Sequence, residues 1–207
     1  MGKLHEWKQE IWHHKHLILV SLLFLIVSIV LDYYAGVYVT KTSGVVAPDL
    51  ILDHIPTLDL DFIFIYGYML VIALIFLYPL IFKVKELHKV IGQFSLLIMI
   101  RSAFTCFTHL SVPSSALTFN VPWVISTISF KNDLFFSGHT AVAFLGFLLF
   151  RKEKIGYFFL VSSLVLGIVV LFMHVHYSID VLSAFFITYG SFNIGKWFFN
   201  KINHYSR

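Results

Sequence analysis

Ser137-Gly138-His139-Thr140-Ala141-Val142-Ala143-Phe144-Leu145-Gly146-Phe147-Leu148-Leu149-Phe150-Arg151-Lys152 decides the fold. A Ser-Gly pair puts a histidine at the start of a helix, an unbroken apolar run follows, and a basic pair closes it. This is the pattern of a membrane span with one reactive end and one basic end. A second stretch, His176-Tyr177-Ser178-Ile179-Asp180, sets a histidine and a carboxylate four residues apart, on one face of a helix if one forms there. Between the two lie about 35 mostly apolar residues, enough to cross a bilayer and return. Together they offer what phosphoryl transfer needs: a nucleophile, an orienting base, a proton donor and an anion cradle.

Composition agrees with the membrane reading. The 207 residues are 58% hydrophobic and 13% charged, against roughly a quarter charged in soluble domains. Six apolar stretches can be drawn, at 16–39, 60–82, 90–110, 134–150, 155–173 and 179–199. Each matches the length that crosses a hydrocarbon core about 30 Å thick. The basic residues alternate with them. Lys3, Lys8 and Lys15 precede the first stretch, Lys83, Lys85 and Lys89 follow the second, Arg151, Lys152 and Lys154 follow the fourth, and Lys196, Lys201 and Arg207 close the chain. The other loops set Lys41 against Asp49, Asp53 and Asp59, and Lys131 beside Asp133. This positive-inside alternation predicts an all-α polytopic membrane protein, a bundle of six transmembrane helices with both termini cytoplasmic. Without repeats or linkers, 1–207 reads as a single domain. Basic residues in small separate clusters exclude nucleic acid as a partner, and the lone Cys106 excludes an internal disulfide.

At the N-terminus, Glu6 stands where myristoylation wants Ser or Thr, and Asp32-Tyr33-Tyr34 follows the first apolar run instead of a cleavage site. A retained anchor is expected. His5, His13, His14 and His16 with Trp7 and Trp12 read as an interfacial segment rather than a metal site. The acidic outer loop needs no metal either. The connection 111–134, with Pro113, Pro122 and Trp123, is long enough to lid a site or to lie in the interface.

Arg101 is an arginine inside an apolar run, hence a functional candidate whose guanidinium suits phosphate oxygens, with snorkelling as the bland alternative. Gly138 would let a phosphate approach the backbone. Asp180 would accept from one ring nitrogen of His176 and leave the other free to attack phosphorus. His174, about 200° from His176 on a helix, is expected to face elsewhere. Counting about 1.5 Å per residue from the basic clusters puts Arg101 and His139 each about 18 Å, and His176 about 30 Å, from the cytoplasmic ends. The four groups meet on the non-cytoplasmic side, partly recessed.

Asp133-Leu134-Phe135-Phe136-Ser137-Gly138-His139-Thr140 and His176-Tyr177-Ser178-Ile179-Asp180-Val181 resemble the two signature motifs of the sphingomyelin synthase family, a branch of the type-2 phosphatidic acid phosphatase superfamily. Arg101-Ser102-Ala103-Phe104-Thr105, with Leu110-Ser111-Val112-Pro113, resembles the motif that precedes them there. The resemblance covers 95–190. It implies His176 as nucleophile forming a phosphohistidine, Asp180 orienting it, and His139 as proton shuttle. It also implies Arg101, Asp133, Ser137 and Gly138 as substrate-binding or supporting residues. Neither metal nor organic cofactor is implied, and the partners are membrane lipids, a phospholipid donor with a lipid alcohol or water as acceptor.

Two departures bear on substrate. The phosphatases proper carry Lys…Arg-Pro and a Ser-Arg ahead of the histidine, whereas this chain has no Arg-Pro and has Val169 and Val170 at the latter positions. Fewer cations suit a singly charged phosphodiester. The expectation is a lipid phosphotransferase or phospholipase C-like enzyme. The alternatives are a lipid phosphate or isoprenyl diphosphate phosphatase and a non-catalytic membrane protein. The short chain fits a bacterial plasma-membrane protein.

Overall fold

In the computed structural model, residues 3–42, 44–118, 130 and 132–205 are described. They form six principal helices and no strand: α1 (Lys3–Lys41), α2 (Tyr68–Phe82), α3 (Val84–Phe107), α4 (Gly138–Phe150), α5 (Lys154–Phe172) and α6 (Ser178–Tyr205). A five-residue π-helical turn, Ile63–Gly67, leads into α2. Half of the 111–134 connection, residues 119–129 and 131, lies outside the described residues, and its expected lid or interfacial role falls there too.

α4 is the centre. Eight of its 13 residues are buried, and the main core cluster gathers around its Ala141, Val142 and Leu145. Val71 and Ile75 of α2, Leu97 of α3, Phe159 of α5 and Ala184 of α6 are among the other members of that cluster. Gly146 lets the Phe159 ring lie directly on the α4 backbone. α1 stands outside, packed on α3. Its buried seam repeats every seven residues at Ser21, Ser28 and Ala35, with Val39 after them, and such small residues let two apolar helices approach closely. Its remaining face, including Leu19, Leu23, Ile26 and Val30, is exposed.

Four helical segments are long and apolar enough to cross a membrane: His5–Lys41, Ile63–Phe82, Val84–Phe107 and Lys154–Phe172. The six drawn stretches all fall on helices, but two miss that standard. The stretch 134–150 becomes helical only at Gly138, because Ser137 caps there, and its 13 residues span only about 20 Å. α6 is long enough, but Asp180, Thr188, Ser191 and Asn193 make it more polar; the first three are buried against protein. The stretch 16–39 is the middle of one continuous α1, so the N-terminal residues from Lys3 extend that helix.

The basic turns gather at one end. Lys83 and Tyr78 both bond Glu153 across the α2–α3 and α4–α5 turns, and Lys85 Nζ lies 3.0 Å from Glu10 of α1. Burial pushes the Glu153 carboxyl up, but its bonds from Lys83 and Tyr78 outweigh that and hold it below the usual range. At the other end, the 44–50 and 109–112 segments pair through Val45 N–H to His109 O (3.0 Å) and Ser111 N–H to Val45 O (3.0 Å). The reactive helix starts lie at that end.

Candidate active site

Two helix starts face one another there. Ser137 is fully buried and caps α4, its Oγ accepting from Thr140 N–H at 3.5 Å and from the Thr140 hydroxyl at 3.2 Å. Its own N–H donates to the Asp180 carbonyl at 3.2 Å, which fastens the start of α4 to the start of α6. The N–H groups of Gly138 and His139 have no partner among the described residues. A helix start with free N–H groups carries partial positive charge and suits an anion.

The start of α6 is already occupied. Asp180, fully buried, accepts from Tyr177 N–H at 2.9 Å, the reach-back of a third-position carboxylate to the residue before the helix. Asp49 accepts from Ser178 N–H at 2.6 Å and from the Ser178 hydroxyl at 2.9 Å, and its other oxygen takes the N–H groups of Ile51 and Leu52. Burial pushes the Asp49 carboxyl up, but these bonds outweigh it and hold it below the usual carboxylate range. Tyr177 adds a third tie, its hydroxyl donating to Ser111 O at 2.8 Å and accepting from Ala47 N–H at 3.1 Å. Asp49 was expected in a wet acidic loop. It is a buried cap instead.

His176 lies two residues ahead of α6, yet its Nδ1 reaches Asp180 Oδ2 at 3.3 Å. The chain arrives there through a tight turn. Val175 N–H bonds Val170 O at 3.1 Å and His174 N–H bonds Leu171 O at 2.9 Å, closing α5 in a Schellman motif with His174 at φ 54°. α5 has ended at Phe172, so the 200° helical rotation expected between His174 and His176 does not apply. His174 faces away for a different reason: it is buried, and its Nδ1 meets Ser115 Oγ at 2.6 Å.

His139 is held by aromatic rings. Phe64 and Tyr68 each stack on the imidazole, both at 4.1 Å between ring centroids, with interplanar angles of 16° and 30°. The imidazole also hydrogen-bonds the Phe64 backbone, and it lies within electrostatic reach of His176 and Arg101. Phe64 belongs to the π-helical turn, a feature that recurs at functional sites.

Arg101 is nine-tenths buried and anchors the approach to α4. Its Nε donates to Phe136 O at 3.0 Å, Nη1 to Asp133 Oδ2 at 2.9 Å and Nη2 to Asp133 O at 3.2 Å. Thr105, one helical turn on, donates to Asp133 Oδ1 at 3.2 Å and Phe135 O at 2.9 Å. Asp32 of α1 completes the cluster, 3.8 Å from Arg101 Nη1 and accepting from Ser102 Oγ at 2.9 Å. The guanidinium therefore faces two carboxylates.

Residues 132–197 match the family model of the PAP2 superfamily C-terminal region.

That match covers about a third of the chain and contains Asp133, His139, His176 and Asp180. It supports the type-2 phosphatidic acid phosphatase superfamily, and with it a membrane enzyme of lipid phosphatase or phosphotransferase type. It does not reach the sphingomyelin synthase branch. No curated protein matches the chain. Arg101 lies upstream of the matched PAP2 segment, as do Asp32, Asp49, Phe64 and Tyr68. Of these, only Arg101 stands out as a site residue in the sequence. Asp32 carried a signal, since it lies four residues after Ser28 on the buried α1 seam. The Phe64/Tyr68 pair showed only as an i, i+4 aromatic spacing among many apolar residues. Among the described residues, no three His, Cys, Asp or Glu side chains are grouped as metal ligands.

Proposed function

We propose that this chain is an integral-membrane lipid phosphotransferase or phospholipase C-like enzyme acting on a phosphodiester lipid. The observation that carries the reading is the His176–Asp180 pair beside an α4 start whose Gly138 and His139 N–H groups have no partner among the described residues. Asp180 holds a proton on Nδ1 and directs Nε2 of His176 at phosphorus. As Nε2 bonds to phosphorus, the bond to the donor lipid's oxygen breaks, and that oxygen takes a proton from His139. In the second half, an acceptor hydroxyl gives its proton to His139 while its oxygen attacks phosphorus, and the P–N bond breaks to restore His176. The α4 N–H groups stabilise the charge on the phosphoryl oxygens in both steps.

The charge balance favours a diester over a monoester. Arg101 is shared by Asp133 and Asp32, so the walls offer little net positive charge to a dianion. In the membrane, the basic end carrying Lys83, Lys85 and Arg151 takes the cytoplasmic side with both termini, and the site opens opposite. The chain passes six times between the two sides, and the short α4 covers only the part of its passage from the basic end up to the site. A lipid alcohol such as ceramide or diacylglycerol, or water, serves as acceptor.

The test is purified protein with labelled phospholipid, with and without ceramide or diacylglycerol. Head-group transfer or release is expected, and His176→Ala should abolish it while the protein stays folded. Inorganic phosphate released from monoesters alone would overturn the diester reading, and an active His176→Ala would overturn the nucleophile.

A further inference from the structure

Gly138 has no side chain at the point where Arg101 and Tyr68 come up against the start of α4. A Cβ placed there would lie 3.3 Å from Arg101 Nε and 3.8 Å from the Tyr68 hydroxyl oxygen. The two side chains therefore border the same small space, directly beside the unpaired N–H groups of α4. Arg101 Nε is committed to Phe136 O. The Tyr68 hydroxyl is not committed: no described residue hydrogen-bonds it, and it is not among the sealed polar atoms of the core. Its ring is fixed by the 4.1 Å stack on His139, so the hydroxyl cannot swing away without breaking that contact.

We infer that Tyr68 is a further catalytic residue, its hydroxyl donating a hydrogen bond to a non-bridging phosphoryl oxygen of the lipid phosphodiester. This rests on the phosphotransferase reading above and adds a group to it. A phosphoryl oxygen seated against the Gly138 and His139 N–H groups comes within reach of a donor standing over Gly138. The donor is neutral, which suits a singly charged phosphodiester next to an arginine already shared by two carboxylates. Charge builds on the non-bridging oxygens as the nucleophile and leaving group exchange, and a preorganised donor acts most strongly there. One side chain thus serves twice. Its ring orients the proton shuttle, and its hydroxyl meets the phosphorus that His176 attacks.

Tyr68→Phe separates the two roles, because it keeps the ring and removes only the donor. Turnover of acyl-labelled phospholipid in mixed micelles should fall 10- to 100-fold in kcat, with KM within about twofold and the melting temperature unchanged. Tyr68→Leu removes the stack as well and should cut kcat further than Tyr68→Phe, because the ring that orients His139 is lost. A Tyr68→Phe enzyme with wild-type kcat overturns the inference, as does a loss confined to KM. Since the hydroxyl bonds none of the described residues, a merely structural role predicts no change at all. Wild type, His139→Ala and His176→Ala run alongside. If wild type turns over lipid and both histidine variants are dead while Tyr68→Phe matches wild type, only the tyrosine role fails. If wild type acts on no phosphodiester lipid, the phosphotransferase reading fails and takes this one with it.

Discussion

Replacing Arg101 by methionine tests whether that arginine builds the site or binds the substrate. Methionine keeps most of the length and removes the charge and every donor. Three hydrogen bonds go, to Phe136 O, Asp133 Oδ2 and Asp133 O. Breaking a buried ion pair by deleting one partner costs about 3–5 kcal/mol, because the remaining charge is stranded. Here the Asp133 side chain keeps 19% of its exposure and Asp32 keeps 33%, so water screens part of the loss and the low end applies, about 3 kcal/mol. For a chain of this length that lowers the melting temperature by about 6–12 °C. Thermal unfolding in detergent reads it directly. Adding Asp133→Asn removes the stranded charge, so the double variant should recover part of the loss, a coupling of about 1–2 kcal/mol. Activity should fall in both variants, since the segment carrying Ser137 is no longer held. An Arg101→Met protein that melts like wild type while its KM rises tenfold would refute this reasoning and return Arg101 to direct phosphate binding.

Gly138→Ala should leave the melting temperature within about 3 °C, since alanine's helix preference of up to about 1 kcal/mol offsets the 3.3 Å contact with Arg101 Nε. Its turnover should nevertheless drop at least tenfold, and undiminished turnover would show that phosphate does not sit there. Asp49→Asn weakens the cap on α6 and should lower the melting temperature by about 2–4 °C at neutral pH, the effect of about 1 kcal/mol. Because the folded carboxyl titrates below its unfolded value of about 3.9, its contribution is present above that pH and is lost as pH falls through the folded value. The melting temperatures of wild type and Asp49→Asn should therefore draw together as pH falls below about 3.9, and a gap that stays constant there would count against the cap.

The parts of the site legible in the sequence were those written in short strings. Ser137-Gly138-His139 marks a capped helix start, and His176 with Asp180 marks a pair one turn apart, so local chemistry sufficed for each. The distant partners were not legible. Asp32 meets Arg101 only because α1 and α3 pack closely along Ser21, Ser28 and Ala35, and no local period records which helix will lie alongside. Phe64 and Tyr68 both reach His139 by way of a π-helical turn, an irregularity that apolar spacing does not reveal. His174 shows the opposite failure. A helical rotation was assumed across residues where the chain had already left the helix at φ 54°.

The shortness of α4 has a kinetic consequence. Its 13 residues rise only about 20 Å from the basic end, against a hydrocarbon core of about 30 Å. On the proposed orientation, His139 waits at a depth that a dissolved ester does not visit but a lipid phosphate reaches by a small inward excursion. Substrate then arrives by lateral diffusion, as a two-dimensional solute. Turnover would follow the mole fraction of phospholipid in the surface rather than its bulk concentration, so diluting the substrate with inert detergent would slow the enzyme even when no lipid is removed.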